Sequence, residues 1–308
     1  MTLSGPSIPA SLAESTDTRL LTIDDLDLHL ISGSAFERVA DVVGQLREST
    51  YRKQLSGSGE ERDLDGRDPH YDHLLLVERN SGDLAGSARL QFIPAGASDL
   101  PGSSSSYLEH VYPGIKAALA NRTNHLEIGR VALAERFQRQ PHSLMALFRG
   151  GLLIAARSGY HLLHGLVSYN HFAYSDGVNS AFLKALMRPP YRICNSQLPP
   201  PRYPVPGVNA DDQPHPSGHI QALEQEIRQN LSADFRLPVL LRQYVNLMQA
   251  KVCGLSLALD FNQITEILMA ANLHRLPPER LALFIDLPHQ PVYHQFSWYR
   301  GDGRSHQH

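Results

Sequence analysis

Between His125 and Ser168 the chain alternates in a way that leaves few folds open. His125 to Leu133 is strand-like and largely apolar. Pro141, His142 and Ser143 then open a run whose apolar positions Leu144, Leu147, Phe148 and Leu152 recur at helical spacing, and Ser158-Gly159 closes it with glycine in the usual C-terminal position. Tyr160 to Ser168 follows at once as a buried strand. Strand, helix, strand at this spacing is a right-handed crossover, so the two strands are expected to be parallel. The runs just upstream ask for the opposite pairing. Leu74 to Glu78 and Ala85 to Phe92 flank Asn80-Ser81-Gly82-Asp83, a hairpin connection. The expectation is an α/β fold: a mixed, mostly antiparallel sheet with flanking helices.

The rest of the chain divides around that unit. Residues 1–33 read as an N-terminal lead-in in which Ile23 to Ile31 is either a short strand or an extended segment, and 34–195 as the core. Phe36, Val39, Val42, Val43 and Leu46 give an amphipathic helix ending near Tyr51. Tyr107 to Ala120 and Val178 to Met187 also read as helices. A proline-rich connector covers 196–217, and 218–287 reads as a C-terminal extension packed on the core. In that extension His219 to Asn230, Val239 to Val252 and Pro278 to Phe284 are predicted helices, and Leu255 to Asp260 and Glu266 to Ala270 strands. The segment 288–308 reads as a flexible tail.

Composition narrows the function. The 308 residues carry Lys plus Arg 28 against Asp plus Glu 31, a net charge of -3, without the basic footprint of a nucleic-acid binder. Cys194 and Cys253 lie far apart with no C-x-x-C spacing, which fits a reducing, cytoplasmic setting better than a disulfide framework. No apolar h-region precedes Arg19, and Arg149, Arg157, His161 and His164 interrupt the most apolar stretch, so neither a secretory signal nor a membrane span is expected.

Three constellations could carry chemistry. Asp63, Asp65, Asp68 and Asp72 crowd one segment, readable either as a solvated acidic loop or as a site for a cationic group such as an ammonium. Glu127-Ile128-Gly129-Arg130 puts a carboxylate and a guanidinium inside an apolar strand, either as a structural ion pair or as a general base with a substrate-orienting cation. Positions three apart face opposite sides of a regular strand, so both could serve one site only through a bulge, for which Gly129 is the natural place. Arg136, Arg139 and Ser143 approach the start of the crossover helix, where backbone N–H groups attract phosphate. His70 with His73 and His161 with His164 lack a third ligand, and no metal site is expected.

Together these stretches resemble the L-ornithine N-alpha-acyltransferase family of the GNAT superfamily. Arg62-Asp63-Leu64-Asp65-Gly66-Arg67-Asp68 leading to Asp72-His73-Leu74-Leu75 is similar to its spaced-aspartate element, and Glu127-Ile128-Gly129-Arg130 to its E-[LI]-G-R strand. Leu237 to Tyr244 with Asp260-Phe261 is similar to its C-terminal element, and Leu46-Arg47 with Tyr51 to its L-R-x-x-x-F helix end. Glu135-Arg136-Phe137-Gln138 departs from the family's Pro-x-Tyr-Arg, and Val167-Ser168-Tyr169-Asn170 with Ser175 is closer to haemolysin-like relatives that acylate other amino acids.

The resemblance implies transfer of a fatty acyl group from an acyl-carrier-protein thioester to the α-amine of an amino acid, ornithine first, within ornithine lipid biosynthesis. In that picture Glu127 is the base and Arg130 its catalytic partner. Asp63, Asp65, Asp68 and Asp72 hold the acceptor's ammonium, Arg47 and Arg130 meet its carboxylate, and Arg89 joins the cleft. Gly129, Arg136, Arg139, Ser143 and Ser168 bind the donor. No tightly bound cofactor is implied beyond the 4'-phosphopantetheine thioester co-substrate. The partners implied are the acyl carrier protein, the amino acid and the cytoplasmic face of the inner membrane. An acyl-homoserine-lactone-type synthase and a non-catalytic acyl-carrier-binding module are the alternatives.

Overall fold

The computed structural model describes residues 7–13, 16–96, 106–120, 123–193 and 198–284. Its strands are β1 (Arg19–Ile23), β2 (Leu26–Ile31), β3 (Asp72–Glu78), β4 (Leu84–Ile93), β5 (His125–Leu133), β6 (Leu162–Tyr169), β7 (Lys251–Ala258) and β8 (Ile264–Asn272). The helices are α1 (Ala10–Ala13), α2 (Ala40–Lys53), α3 (Tyr107–Val111), α4 (Ile115–Ala120), α5 (Glu135–Gln138), α6 (Pro141–Ser158), α7 (Asp176–Leu186), α8 (Ile220–Asn230), α9 (Val239–Met248) and α10 (Pro278–Leu281).

All eight strands join one sheet in the order β1-β2-β3-β4-β5-β6-β8-β7. Among these described strands only β5 and β6 run parallel, joined by α6 as the crossover helix. The mixed, mostly antiparallel α/β sheet expected from the sequence is therefore the one observed. The lead-in is more ordered than its sequence suggests: β1 and β2 form a hairpin, and β2 pairs with β3. The C-terminal strands are part of the same sheet, because β8 pairs with β6 along Leu162 to Tyr169.

Local chemistry moves several boundaries. The helix expected over 107–120 is two, α3 and α4, parted at Pro113-Gly114, where Gly114 takes φ +88°. The helix expected to reach Val252 stops at Met248; Gln249 is left-handed (φ +51°) and β7 begins at Lys251. Cys194 and the expected tail at 288–308 lie outside the described residues.

The sheet's two faces differ. Leu28, Leu74, Leu76, Ala88, Leu90 and Leu126 pack under α6 in the larger core. Gly150 lets that helix come close, since a Cβ there would sit 2.1 Å from a Leu28 methyl. On the other face, Val43 and Leu46 of α2 pack with Leu75, Val77 and Ala132. That second face also carries buried polar groups: His73, Arg89, Gln91 and Glu127. Among the described residues, no helix is long and apolar enough to cross a membrane.

Candidate active site

The parallel pairing of β5 and β6 covers only His125–Leu162, Leu126–Leu163 and Glu127–His164. Past that point the strands part. At the fork Gly165 approaches so closely that a Cβ would lie 2.8 Å from the Ile128 carbonyl oxygen. Beyond it opens a cavity of about 690 Å³, lined on one side by Ile128 to Val131 and on the other by Gly165 to Asn170.

On its other edge β5 is bulged. Ser87 faces Ala132 and Arg89 faces Gly129, so Ala88 opposes both Arg130 and Val131. The strain falls on Arg130, at φ +51°, not on Gly129. Gly129 has room to spare, since a Cβ there would meet nothing closer than Arg89 Nε at 3.9 Å. The bulge thus lies one residue beyond the expected position, with the expected effect: Glu127 and Arg130 line the same cavity.

The acidic segment is not a solvated loop. Asp63 accepts from Arg130 (2.6 and 2.8 Å), Asp65 from Arg89 (3.0 and 3.1 Å), and Asp68 from Arg47 (2.9 Å) and Arg89 (3.1 Å). Arg130 also reaches Asp65 at 3.4 Å, so the alternating charges form one chain. Burial alone would raise Asp68, but Arg47, Arg89 and the Asp65 N–H outweigh it and hold its carboxyl down at about 2. Arg47 is fully buried and also contacts His73 Nδ1 at 3.4 Å. These aspartates are occupied by the chain's own arginines rather than offered to an acceptor's ammonium, and Arg47 is closed off from an acceptor's carboxylate. Asp72 lies apart from them and accepts from the Gly33 N–H (3.2 Å).

Glu127 is held by neutral donors instead. Its Oε1 accepts from Tyr71 Oη (2.6 Å) and the Leu108 N–H (3.2 Å), and its Oε2 from Ser106 Oγ (2.5 Å). Tyr71 Oη in turn accepts from the Tyr107 N–H (2.7 Å). The start of α3 is thereby clamped over β5.

The residues expected at the donor separate. Arg139 and Ser168 line the cavity. Arg136 turns away to Glu78 (2.7 Å) and Asp83 (2.8 Å) on the β3–β4 hairpin, and Ser143 is fully buried in the first turn of α6. The histidines pair differently from their spacing: His164 Nδ1 meets His125 Nδ1 at 3.3 Å, while His161 stacks on His274 at 4.0 Å.

Two lining groups escaped the sequence reading. Tyr107 Oη donates to Glu266 Oε1 (3.0 Å), and Glu266, buried in β8, lines the cavity. The available signal was the one that singled out Glu127: a lone carboxylate inside an otherwise apolar strand, Ile264-Thr265-Glu266-Ile267-Leu268-Met269.

Residues 46–148 match the acetyltransferase (GNAT) domain family. The fold is GNAT-like. The matched segment runs from α2 into α6 and contains the ion chain, the bulge and Glu127. No curated protein matches the chain. Among solved structures, FeeM, an N-acyl amino acid synthase from uncultured soil microbes, is 14% identical over 85% of this chain and 98% of its own, with a TM-score of 0.43. The CoA-dependent acyl-homoserine lactone synthase BjaI is 13% identical over 84% of this chain and 87% of its own, at TM-score 0.42. The loading GNATL domain of CurA from Lyngbya majuscula is 12% identical over 82% and 100%, at 0.40. This GNAT-like sheet supports an acyltransferase.

Proposed function

We propose that the protein transfers a fatty acyl group, 3-hydroxyacyl among them, from an acyl-carrier-protein thioester to the α-amine of an amino acid. Ornithine is the first candidate, and the product is a lyso-ornithine-type aminolipid. The observation that carries this reading is the fork between β5 and β6, which opens beside Glu127 and Arg130. From Ile128 onward the β5 edge facing β6 has no strand partner among the described residues. An extended chain with amide groups, such as pantetheine, can pair with such an edge as a strand would.

In this reading the thioester carbonyl lies near Gly129 and Arg130, where backbone N–H groups stabilise the oxyanion. Arg139 and Arg236, both lining the cavity, meet the carrier's phosphate. Arg130 orients the acceptor's carboxylate, and the cavity's own carboxylates, Glu127 and Glu266, receive its ammonium. Asp63 and Asp65 bind no substrate group in this reading; they brace Arg130 at the bulge.

The test is direct. Purified protein is incubated with a decanoyl-carrier-protein thioester and an amino-acid mixture containing ornithine, and products are read by mass spectrometry. An N-decanoyl amino acid is expected. No acylated amine, or a product formed only when S-adenosylmethionine is supplied, overturns the reading.

A further inference from the structure

An amine attacks a thioester only as the free base, so the ammonium that binds must lose a proton within the cavity. Among the described residues, the carboxylates lining that cavity are Glu127 and Glu266. Tyr71, Ser106 and the Leu108 N–H all donate to Glu127. These bonds occupy both Glu127 oxygens and hold the carboxylate in one place. Glu127 is therefore a fixed carboxylate at the fork, placed to bind an ammonium.

Glu266 is built differently. Its nearer donor is Tyr107 Oη at 3.0 Å, with Ser256 Oγ at 3.5 Å. Strand pairing sets it opposite Ser168 on β6 and Ser256 on β7. Directly paired residues share a face, and residues two apart on a strand share it too, so His164, Ser168 and Glu266 stand on the same side. Glu127, paired with His164, is on that side as well. The cavity thus has one carboxylate at the fork and another on the far strand.

We propose that Glu266 accepts the proton released by the bound amine, while Glu127 holds the ammonium and positions the start of α3. The proposal rests on the acyl-transfer reading above. In the balanced step, the ammonium gives one proton to the Glu266 carboxylate and the free amine attacks the thioester carbon. The C–N bond forms, the C–S bond breaks, and the second nitrogen proton leaves with the thiol.

The surroundings of Glu266 fit that task. Burial is the largest influence and pushes its carboxyl up, the neighbouring Asp260 adds to this, and Tyr107, Arg130 and Ser256 pull back, leaving it at about 7. Asp260 is itself contacted by His110 (3.6 Å) and by Tyr107 Oη (3.3 Å), and the buried Tyr112 lies near Glu266 on the α3 side. A base that titrates near the working pH is the efficient one.

The experiment compares pH profiles of kcat/KM for the full chain, using decanoyl-carrier-protein thioester and whichever amino acid is acylated. The wild type should lose rate below about pH 7. Glu266→Gln should fall about 100-fold or more at neutral pH and lose that acid limb. Tyr107→Phe removes a hydrogen bond that lowers the Glu266 pKa, so its acid limb should move to higher pH, which a structural role for Glu266 would not produce. Isotope-edited infrared difference spectra should show a carboxyl titrating near pH 7 in the wild type and absent in Glu266→Gln. A wild type that transfers acyl groups while Glu266→Gln matches its rate and profile overturns this inference alone. A missing carboxyl titration overturns it whatever the substrate. A wild type that acylates no amine removes the acyl-transfer reading and the proton role with it.

Discussion

One face of the sheet holds two sets of buried or half-buried carboxylates, and their partners make them different. Asp63, Asp65 and Asp68 are bonded to guanidiniums. Glu127 and Glu266 are bonded mainly to hydroxyls. Arg47 and Arg89 hold Asp68 down at about 2, so it stays ionised over the whole neutral range, whereas at Asp63 burial outweighs Arg130 and pushes the carboxyl up. Glu266, buried beside hydroxyl donors, is pushed up to about 7.

The largest effect expected from breaking this contrast is on the framework. Arg89 is buried and bonded to both Asp65 and Asp68, so Arg89→Met strands buried charge and should cost about 3–5 kcal/mol, read from the urea midpoint. A loss under about 1 kcal/mol would mean that the ion chain is not the brace described. The same chain should make folding acid-sensitive. Asp68 is lowered from 3.8 to about 2, so its contribution is complete above the unfolded value and is lost as pH falls through about 2.

The second prediction concerns the other set and has the opposite sign. Glu266 is raised from 4.5 to about 7, so between those values the native state binds more protons than the unfolded one. Stability should therefore decline as pH rises through that window, and Glu266→Gln should flatten the decline. Urea titrations at a series of pH values measure both slopes; equal slopes would make the two sets alike. The smallest effect is at Arg136, whose pairs with Glu78 and Asp83 lie at a half-exposed side chain. Arg136→Ala should cost less than about 1 kcal/mol and leave the donor KM unchanged, whereas a several-fold rise in KM would return Arg136 to the donor site.

How far the site was legible in the sequence follows the same division. The bulge was legible because Glu127 and Arg130 have the wrong parity for one cavity on a regular strand. Its location was not, because a strained backbone can be borne by Arg130 when Asp63 and Asp65 hold its side chain. The acidic segment was visible as a cluster of charge, but charge along the chain says nothing of what faces it. Its partners come from α2, β4 and β5, far apart in sequence. Glu266 carries the same signal as Glu127, but only the pairing of β8 with β6 brings it to the cavity.

By itself the sequence determined the elements and their pairing sense: the crossover from His125 to Ser168, the hairpin at Asn80 to Asp83, and a charged strand beside an acidic loop. These follow from periodicity, turn residues and chain length, all local properties. Only the tertiary structure decided which acids are neutralised and which face the cavity, because pairing and burial depend on residues 21 and 159 positions apart along the chain coming to lie 3.0–3.1 Å from one another. The proton affinity of a carboxylate belongs to its surroundings rather than to its residue type.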